Sequence, residues 1–282
     1  RSRYDQQIRF ANGQVKRGFL IISNNHIVLI SDGKEEHYPL TELLSISPSA
    51  EKRKNLWNGK VSLGIDINRG NTKQLDYLAR IKLERSTPYT RLKTDYIFNY
   101  SKSKELETER VINNNSRFLA SIDWFYNKYM FFRVLDYEYL SDFQQNINSR
   151  NTLGLSIGYH LLNNKRLAWD ITLGPSYQKT DYNLLTDITD QQSAVIAFGS
   201  ALEYKFSSKM NFIVDYQLQF VERKSGKRNT FFKALVEFDL SDKFDVDLGF
   251  YLDRIASPVQ LAAANAVKPN DYKLMLSLSY NY

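Results

Sequence analysis

The sequence predicts an all-β protein: an antiparallel transmembrane β-barrel of about twelve strands, preceded by a small soluble β module. Three observations carry this. From Leu56 onward, apolar residues recur at every second position in segments of about ten residues, the length a tilted strand needs to cross a bilayer. The connections between the segments alternate between short and long. The closing segment places Tyr272, Leu274, Leu276, Leu278, Tyr280 and Tyr282 on one side, and Lys273, Met275, Ser277, Ser279 and Asn281 on the other.

Composition narrows the class. No stretch of about 18 apolar residues occurs, which excludes a helical membrane protein but not a barrel, where only alternate residues face lipid. The chain has no Cys, so disulfides and thiolate metal sites are absent. The formal charge is +7, but the cations are scattered rather than clustered. Scatter argues against a nucleic-acid partner and suits an anionic lipid or lipopolysaccharide surface. The numbering opens in polar residues at Arg1, and a secretory leader is expected to have been removed.

Residues 1–50 read as the soluble module. Gln14–Ser23 is a strand, Asn24-Asn25 a turn, His26–Ser31 a second strand and Asp32-Gly33 a second turn. Glu35–Tyr38 returns, and Pro39–Ile46 ends in a short apolar segment. The expected core is Val15, Leu20, Ile22, Ile27, Leu29 and Leu43. The rhythm of strands and turns resembles small Sm-like or SH3-like barrels, which implies a curled sheet. Ser47–Asn55, with Pro48 and the run Glu51–Lys54, reads as a linker, which sets domain bounds of 1–50 for the module, 51–56 for the linker and 57–282 for the barrel.

The barrel strands follow in order. Val61, Leu63, Ile65 and Ile67 share one face of the first. Leu75, Tyr77, Ala79, Ile81 and Leu83 mark the second; Leu92, Tyr96, Phe98 and Tyr100 the third; Phe118, Ala120, Ile122, Trp124 and Tyr126 the fourth. In the fifth, Tyr129–Leu140, Arg133 shares parity with Leu135, Tyr137 and Tyr139, which predicts a bulge or a reversed face. Leu153, Leu155, Ile157 and Tyr159 mark the sixth; Trp169, Ile171, Leu173 and Tyr177 the seventh; Ile196, Phe198, Leu202 and Tyr204 the eighth. Phe212–Phe220, Phe232–Leu240 and Phe244–Leu252 alternate as the ninth to eleventh, and the closing segment is the twelfth, expected to pair with the strand beginning near Lys60.

Short turns are expected at Ser86–Pro88, Asn127-Lys128, Asn163–Lys165, Ser207–Lys209 and Ser241–Lys243. Longer loops are expected at Lys102–Arg110, Asp142–Arg150, Thr180–Ser193, Arg223–Asn229 and Ile255–Asp271, with Arg69–Asn71 short where a long loop would fit the alternation. Short periplasmic turns and long external loops would place both ends of the barrel, and the module, in the periplasm of a bacterial outer membrane.

The stretch Trp57–Thr72 resembles the opening of the YdiY-type family, described as salt-induced outer-membrane proteins of unknown function. The similarity continues through Asp136–Tyr139, Asp142-Phe-Gln, Arg150, Gly154, Gly158-Tyr159 and Leu173–Tyr177. It implies an outer-membrane barrel and no particular reaction. The Arg69-Gly-Asn turn, where Ser-Gly-Asn is more usual, and the longer N-terminal module are departures.

With the apolar face toward lipid, the lumen receives Asp66, Asp76, Arg80, Lys82, Arg91, Lys93, Asp95, Asp123, Asp170, Glu203, Asp215, Lys233 and Glu237, with Asp239, Asp245, Asp247 and Lys273. Mixed charges in a narrow barrel suit a structural network, and the alternative is a selective pore. Asp239, Asp245 and Asp247 flank one turn and read as a solvated rim or as oxygen ligands for a cation. Of three histidines, only His160 lies in the barrel, at the periplasmic end and without an evident serine partner, which argues against a lipid-modifying enzyme. Tyr and Trp near strand ends read as interfacial girdles. Arg223, Lys224, Lys227 and Arg228 form a basic loop that could meet lipopolysaccharide phosphates.

The function expected from the sequence is therefore non-enzymatic and needs no cofactor. It is a structural or accessory subunit that docks an envelope protein through residues 1–50, with a narrow channel as the alternative. The alternating face of the closing strand, Tyr272 to Tyr282, is expected to be read by the barrel-assembly machinery during insertion.

Overall fold

The computed structural model describes residues 5–23, 26–48, 56–68, 73–105, 108–142, 144–164, 166–182, 190–258 and 269–282. For 48, 65–68, 73–75, 103–105, 108–113 and 224 it describes the backbone alone. The expected turn at Asn24-Asn25, most of the linker and the Arg69–Asn71 connection lie outside the described residues.

The first sheet contains β1 (Gln6–Phe10), β2 (Val15–Ile22), β3 (His26–Ser31), β4 (Lys34–Pro39) and, after a 3₁₀ turn at Leu40–Glu42, β5 (Leu43–Pro48). Its order is β4-β3-β2-β1-β5 and every pairing is antiparallel. Asp32 and Gly33 both take the left-handed conformation that a two-residue hairpin turn requires. β2 serves its two neighbours with different halves: residues 15–18 pair with β1 and 19–22 with β3. The switch falls at Gly18, where an added Cβ would collide with the Ile30 carbonyl, so only hydrogen fits at the bend.

The core of this sheet is Ile8, Phe10, Leu20, Ile27 and Leu29, with Ile22, Tyr38, Leu40 and Leu43 packed against it. Val15, expected in the core, is only half-buried and stands outside it. β1 was not expected, because Gln6, Gln7 and Arg9 leave just Ile8 and Phe10 as its apolar face. A strand with two inward residues gives too short a pattern to be read from sequence, yet it supplies Phe10, the largest fully buried group of this sheet, and the fully buried Ile8.

Twelve further strands close a barrel. They are β6 (Trp57–Asn68), β7 (Lys73–Ser86), β8 (Thr90–Glu105), β9 (Thr108–Phe125), β10 (Met130–Asp142) and β11 (Ile147–Asn163). They continue as β12 (Leu167–Tyr182), β13 (Gln191–Lys205), β14 (Met210–Phe220), β15 (Arg228–Asp239), β16 (Phe244–Ile255) and β17 (Asn270–Asn281). Each pairs antiparallel with its sequence neighbours, and β17 closes on β6 through Leu278↔Leu63, Ser279↔Ser62, Tyr280↔Val61 and Asn281↔Lys60.

Alternation fixes which face is outside. Along β11, residues 152–160 alternate strictly, with Leu153, Leu155, Ile157 and Tyr159 exposed and Thr152, Gly154, Ser156, Gly158 and His160 buried. On β17, Leu274, Leu276 and Leu278 are 74%, 65% and 53% exposed. Leucine exposure on this scale along neighbouring strands is stable only against an apolar solvent, so the outer wall is a lipid-facing surface. Exposed Trp57, Trp124, Tyr126, Tyr129 and Phe244 ring the short-turn end; exposed Tyr77, Tyr177, Phe220 and Tyr272 lie toward the other.

β10 carries the expected bulge. Its register on β9 shifts between Arg133 and Leu135, so Val134 is the extra residue. The bulge reverses parity: Phe131 and Arg133 face inward before it, and Glu138 and Leu140 after it.

The five short turns lie where expected, at one end of the barrel. At the other end, the loop expected over Lys102–Arg110 is corrected: β8 runs to Glu105 and β9 begins at Thr108. This polar segment shows no apolar face, but ladder pairing above the bilayer needs none. Strand lengths of 16 and 18 residues exceed the span of a membrane strand, about 9–11.

Candidate functional site

The N-terminal sheet is attached at the short-turn rim. Arg9 Nη1 donates to the Phe125 carbonyl at 3.1 Å, and its guanidinium lies 4.4 Å from the Tyr89 ring centroid. Ser45 Oγ donates to the Pro88 carbonyl at 2.6 Å. β1 and β5 thereby meet the β7–β8 turn and the end of β9, while β4 is the opposite edge of the sheet and pairs only with β3 among the described residues. On β4, Tyr38 Oη donates to Glu36 at 2.6 Å, and Lys16 Nζ pairs with Glu36 at 2.8 Å. The hydrogen bonds from Lys16 and Tyr38 hold the Glu36 carboxyl below its ordinary value, and the same contacts raise Lys16.

The lumen is crossed by ion pairs at several heights. Near the short turns, Lys60 Nζ lies 2.8 Å from Glu237, 2.9 Å from Asp245 and 2.9 Å from Asp247. Ser279 Oγ donates to Asp247 at 2.6 Å. The cation between these carboxylates is thus a lysine of the chain itself. Asp239 is exposed at the turn, and no metal-holding cluster occurs among the described residues.

On the opposite wall, at the same end, Asp123 is fully buried between Arg91 at 2.9 Å and Arg133 at 2.7 Å. Arg91 also reaches Asp170 at 2.9 Å, and His160 Nδ1 shares a 2.6 Å hydrogen bond with Asp170. The imidazole rests against Phe131, with ring centroids 4.9 Å apart. His160 is therefore a satisfied wall residue within this network.

At mid-height, Arg80 donates two hydrogen bonds to Asp95, at 2.8 and 2.7 Å. Lys233 joins Asp95 at 2.9 Å and Asp215 at 2.6 Å. β8 and β15 stand five ladders apart in the ring, so the Lys233–Asp95 pair spans the lumen. Toward the long loops, Arg117 pairs with Glu138 and, across the barrel, with Asp253, while its guanidinium covers the Phe231 ring at 4.0 Å. Gln219 Nε2 donates to Glu138 at 2.8 Å.

The remaining expected luminal charges are distributed as follows. Asp76 accepts a hydrogen bond from Ser101. Glu203 sits near the rim, 3.8 Å from Lys205. Lys273 pairs with Asp271 at 3.3 Å. The Asp66 side chain lies outside those described. In the basic loop, Arg223, Lys227 and Arg228 are exposed, and the Lys224 side chain is outside the description.

Sequence reasoning missed two classes of luminal residue. Lys60, Arg117, Glu138 and Asp253 have the right parity, but Arg117 closes the polar run Asn113–Arg117 and the β10 bulge hides Glu138. The second class is apolar: Ile213, Phe231, Leu235 and Tyr251 form a buried cluster inside the barrel, joined by Ile97, Leu119 and Met275. A luminal Phe next to outward Phe232 gives no alternation signal on β15.

Between the networks lies a chamber of about 230 Å³. Its walls include Lys82, Glu84, Arg91, Lys93, Ser121, Asp170, Ser200, Asp215, Gln217 and Lys233.

Residues 61–282 match a protein family described as "Protein of unknown function, DUF481". No curated protein matches the chain. Among solved structures, the barrel is similar to the NanC porin, at 9% identity and a TM-score of 0.41, over 80% of this chain and 97% of that one. It is similar to the KdgM porin in complex with disordered oligogalacturonate, at 8% identity and a TM-score of 0.40, over 79% and 99%. It is also similar to the translocator domain of autotransporter NalP from Neisseria meningitidis, at 9% identity and a TM-score of 0.39, over 80% and 87%. No residue role is carried over from these proteins.

Proposed function

The chain belongs to this YdiY-type family of unknown function, and we propose that it is a non-enzymatic barrel of the bacterial outer membrane that serves as a structural or accessory subunit of an envelope assembly. Its N-terminal sheet would be the docking point on the periplasmic side. The observation that carries this is the set of ion pairs joining opposite walls, Lys233–Asp95 and Arg117–Asp253. Charged side chains committed to each other hold a wall in shape and leave few groups for solute passage. The sheet at the short-turn rim, with its open β4 edge, is then the surface suited to a partner, and an added strand would find unpaired backbone donors and acceptors there.

The test is purification from native membranes in mild detergent, with and without residues 1–50, checking that each barrel keeps its heat-modifiable gel mobility. A companion band lost on deletion is expected. A protein that always runs alone, with no band changed by the deletion, ends the docking reading.

The chamber favours a second reading, a narrow channel for ions or small solutes. Planar-bilayer recording separates the two. Silence at several voltages and salt concentrations supports the closed barrel, whereas discrete steps altered by charge reversal at Lys93 or Asp215 support the channel.

A further inference from the structure

Two cationic side chains in the chamber differ from the other cations there. Arg80, Arg91, Arg133 and Lys233 each hold a carboxylate, at 2.7, 2.9, 2.7 and 2.6 Å respectively. Lys82 and Lys93 line the same chamber, and neither forms an ion pair within 4.0 Å among the described residues. The nearby carboxylates are engaged elsewhere: Asp95 by Arg80 and Lys233, Asp215 by Lys233, Asp170 by Arg91 and His160. Glu84 is in register with Lys93 and accepts a hydrogen bond from Ser86 Oγ at 3.0 Å. Of the seven carboxylates on the chamber wall, six lie within 4.0 Å of another cation, and Glu84 alone has no ion-pair partner among the described residues.

Register brings the two lysines together. Lys82 on β7 is paired with Asp95 on β8, and Lys93 lies two residues from Asp95 on the same face. They are diagonal neighbours, a relationship that sets backbones about 7–8 Å apart. A flexible four-carbon stem lets each ammonium swing toward a shared point. Like charges held this close, in a lumen walled by protein, concentrate a counter-ion between them. The chamber of about 230 Å³ exceeds the roughly 30 Å³ of a water several-fold, so a small hydrated oxyanion has room. Ser121, Ser200 and Gln217 on its walls add neutral hydrogen-bonding groups.

We infer that Lys82 and Lys93 form an anion site inside the barrel that takes a small oxyanion, the phosphate or carboxylate group of a compact solute. The site does not depend on the docking role and can exist in a closed or a conducting barrel.

The test titrates inorganic phosphate, and separately succinate, into the purified full-length protein in detergent at low ionic strength, read by calorimetry. Saturable phosphate binding is expected, weakened about tenfold or more by Lys82→Gln with Lys93→Gln, the scale of losing charge-assisted hydrogen bonds. Lys209→Gln, at an exposed turn lysine, is expected to leave it unchanged. Succinate binding with the same lysine dependence extends the site to carboxylates; its absence restricts the site to phosphate. The single variants give the same readout if the double variant loses its folded gel mobility. Phosphate that fails to bind the wild type at millimolar concentration, or binds the folded lysine variants as well as the wild type, overturns the proposal.

Discussion

Asp95 of β8 and Lys233 of β15 lie 2.9 Å apart although their strands are separated by five ladders of the barrel. Asp95 also takes two hydrogen bonds from Arg80, and Lys233 a second carboxylate from Asp215. Each charge is therefore compensated from two sides. This is the condition under which ions removed from water become favourable to the fold. The pair ties distant parts of the ring through the lumen, which ladders between neighbouring strands cannot do.

Lys233→Met leaves Asp95 and Asp215 without their shared cation. Breaking a buried pair in this way is expected to destabilise the barrel by about 3–5 kcal/mol. Combining it with Asp215→Asn, whose ion-pair partner among the described residues is Lys233 alone, should recover part of that loss, because Asp95 keeps Arg80. Urea unfolding of the detergent-solubilised variants, followed by gel mobility, measures both; equal midpoints for wild type and Lys233→Met would refute the bridging role.

Lys60→Met removes the one cation that, among the described residues, lies within ion-pair distance of Glu237, Asp245 and Asp247. The three carboxylates then repel one another beside the β6–β17 seam, which among the described residues has four register pairs and the Gly59–Tyr282 backbone hydrogen bonds. The variant is expected to unfold at a lower urea concentration than Lys209→Met, an exposed control, and disulfide trapping across the seam should restore the midpoint.

Gly158→Ala tests packing without charge. An added Cβ there would collide with the ring of Phe131, itself fully buried in the lumen against His160. Overpacking of this kind typically costs about 1–3 kcal/mol. Phe131→Leu in the same chain should relieve part of the effect, and a double-mutant cycle with zero coupling would show that the ring and the glycine are independent.

Tyr282 closes the seam through its backbone, its N–H donating to the Gly59 carbonyl at 2.8 Å, while the residue as a whole is 79% exposed. If the alternating face of β17 is an assembly signal, Tyr280→Ala with Tyr282→Ala should reduce membrane insertion in cells several-fold yet leave detergent refolding of the purified chain nearly unchanged. Equal losses in both assays would assign these residues to stability alone.

Glu36 offers a titration test outside the membrane. Its carboxyl is expected to titrate below 4.5, and the Lys16 ammonium above 10.5, because each stabilises the other's charged form. The Glu36 contribution is thus present above the unfolded carboxyl value and fades as pH falls through the folded one; that of Lys16 is present below its unfolded value and fades as pH rises through the folded one. Lys16→Met should move the Glu36 titration, read by carbon NMR of the full chain, back toward 4.5.

The readable parts of this protein are those where one solvent acts on a whole face. Lipid selects an apolar residue at every second position, so Leu153–Tyr159 and Leu274–Leu278 announced strands, their outward face and the strand count. Turn residues marked the short connections for the same local reason. The bulge in β10 was legible as a parity conflict at Arg133, though its position at Val134 was not. Where successive residues are polar, as in Ser101–Glu105, or where a strand has just two inward residues, as in β1, alternation gives no signal, and those elements were missed.

The sequence by itself determined a lipid-facing barrel and its twelve strands, because these follow from a period of two along each strand. It did not determine which charges meet. Lys233 reaches Asp95, Arg117 reaches Asp253 and Lys60 gathers three carboxylates because closure and stagger of the ring bring residues far apart in the chain to the same height. The same geometry filled mid-lumen with Ile213, Phe231, Leu235 and Tyr251 and left Lys82 and Lys93 without an ion-pair partner among the described residues. Pattern along a strand is a local property, whereas pairing across a lumen depends on the whole ring.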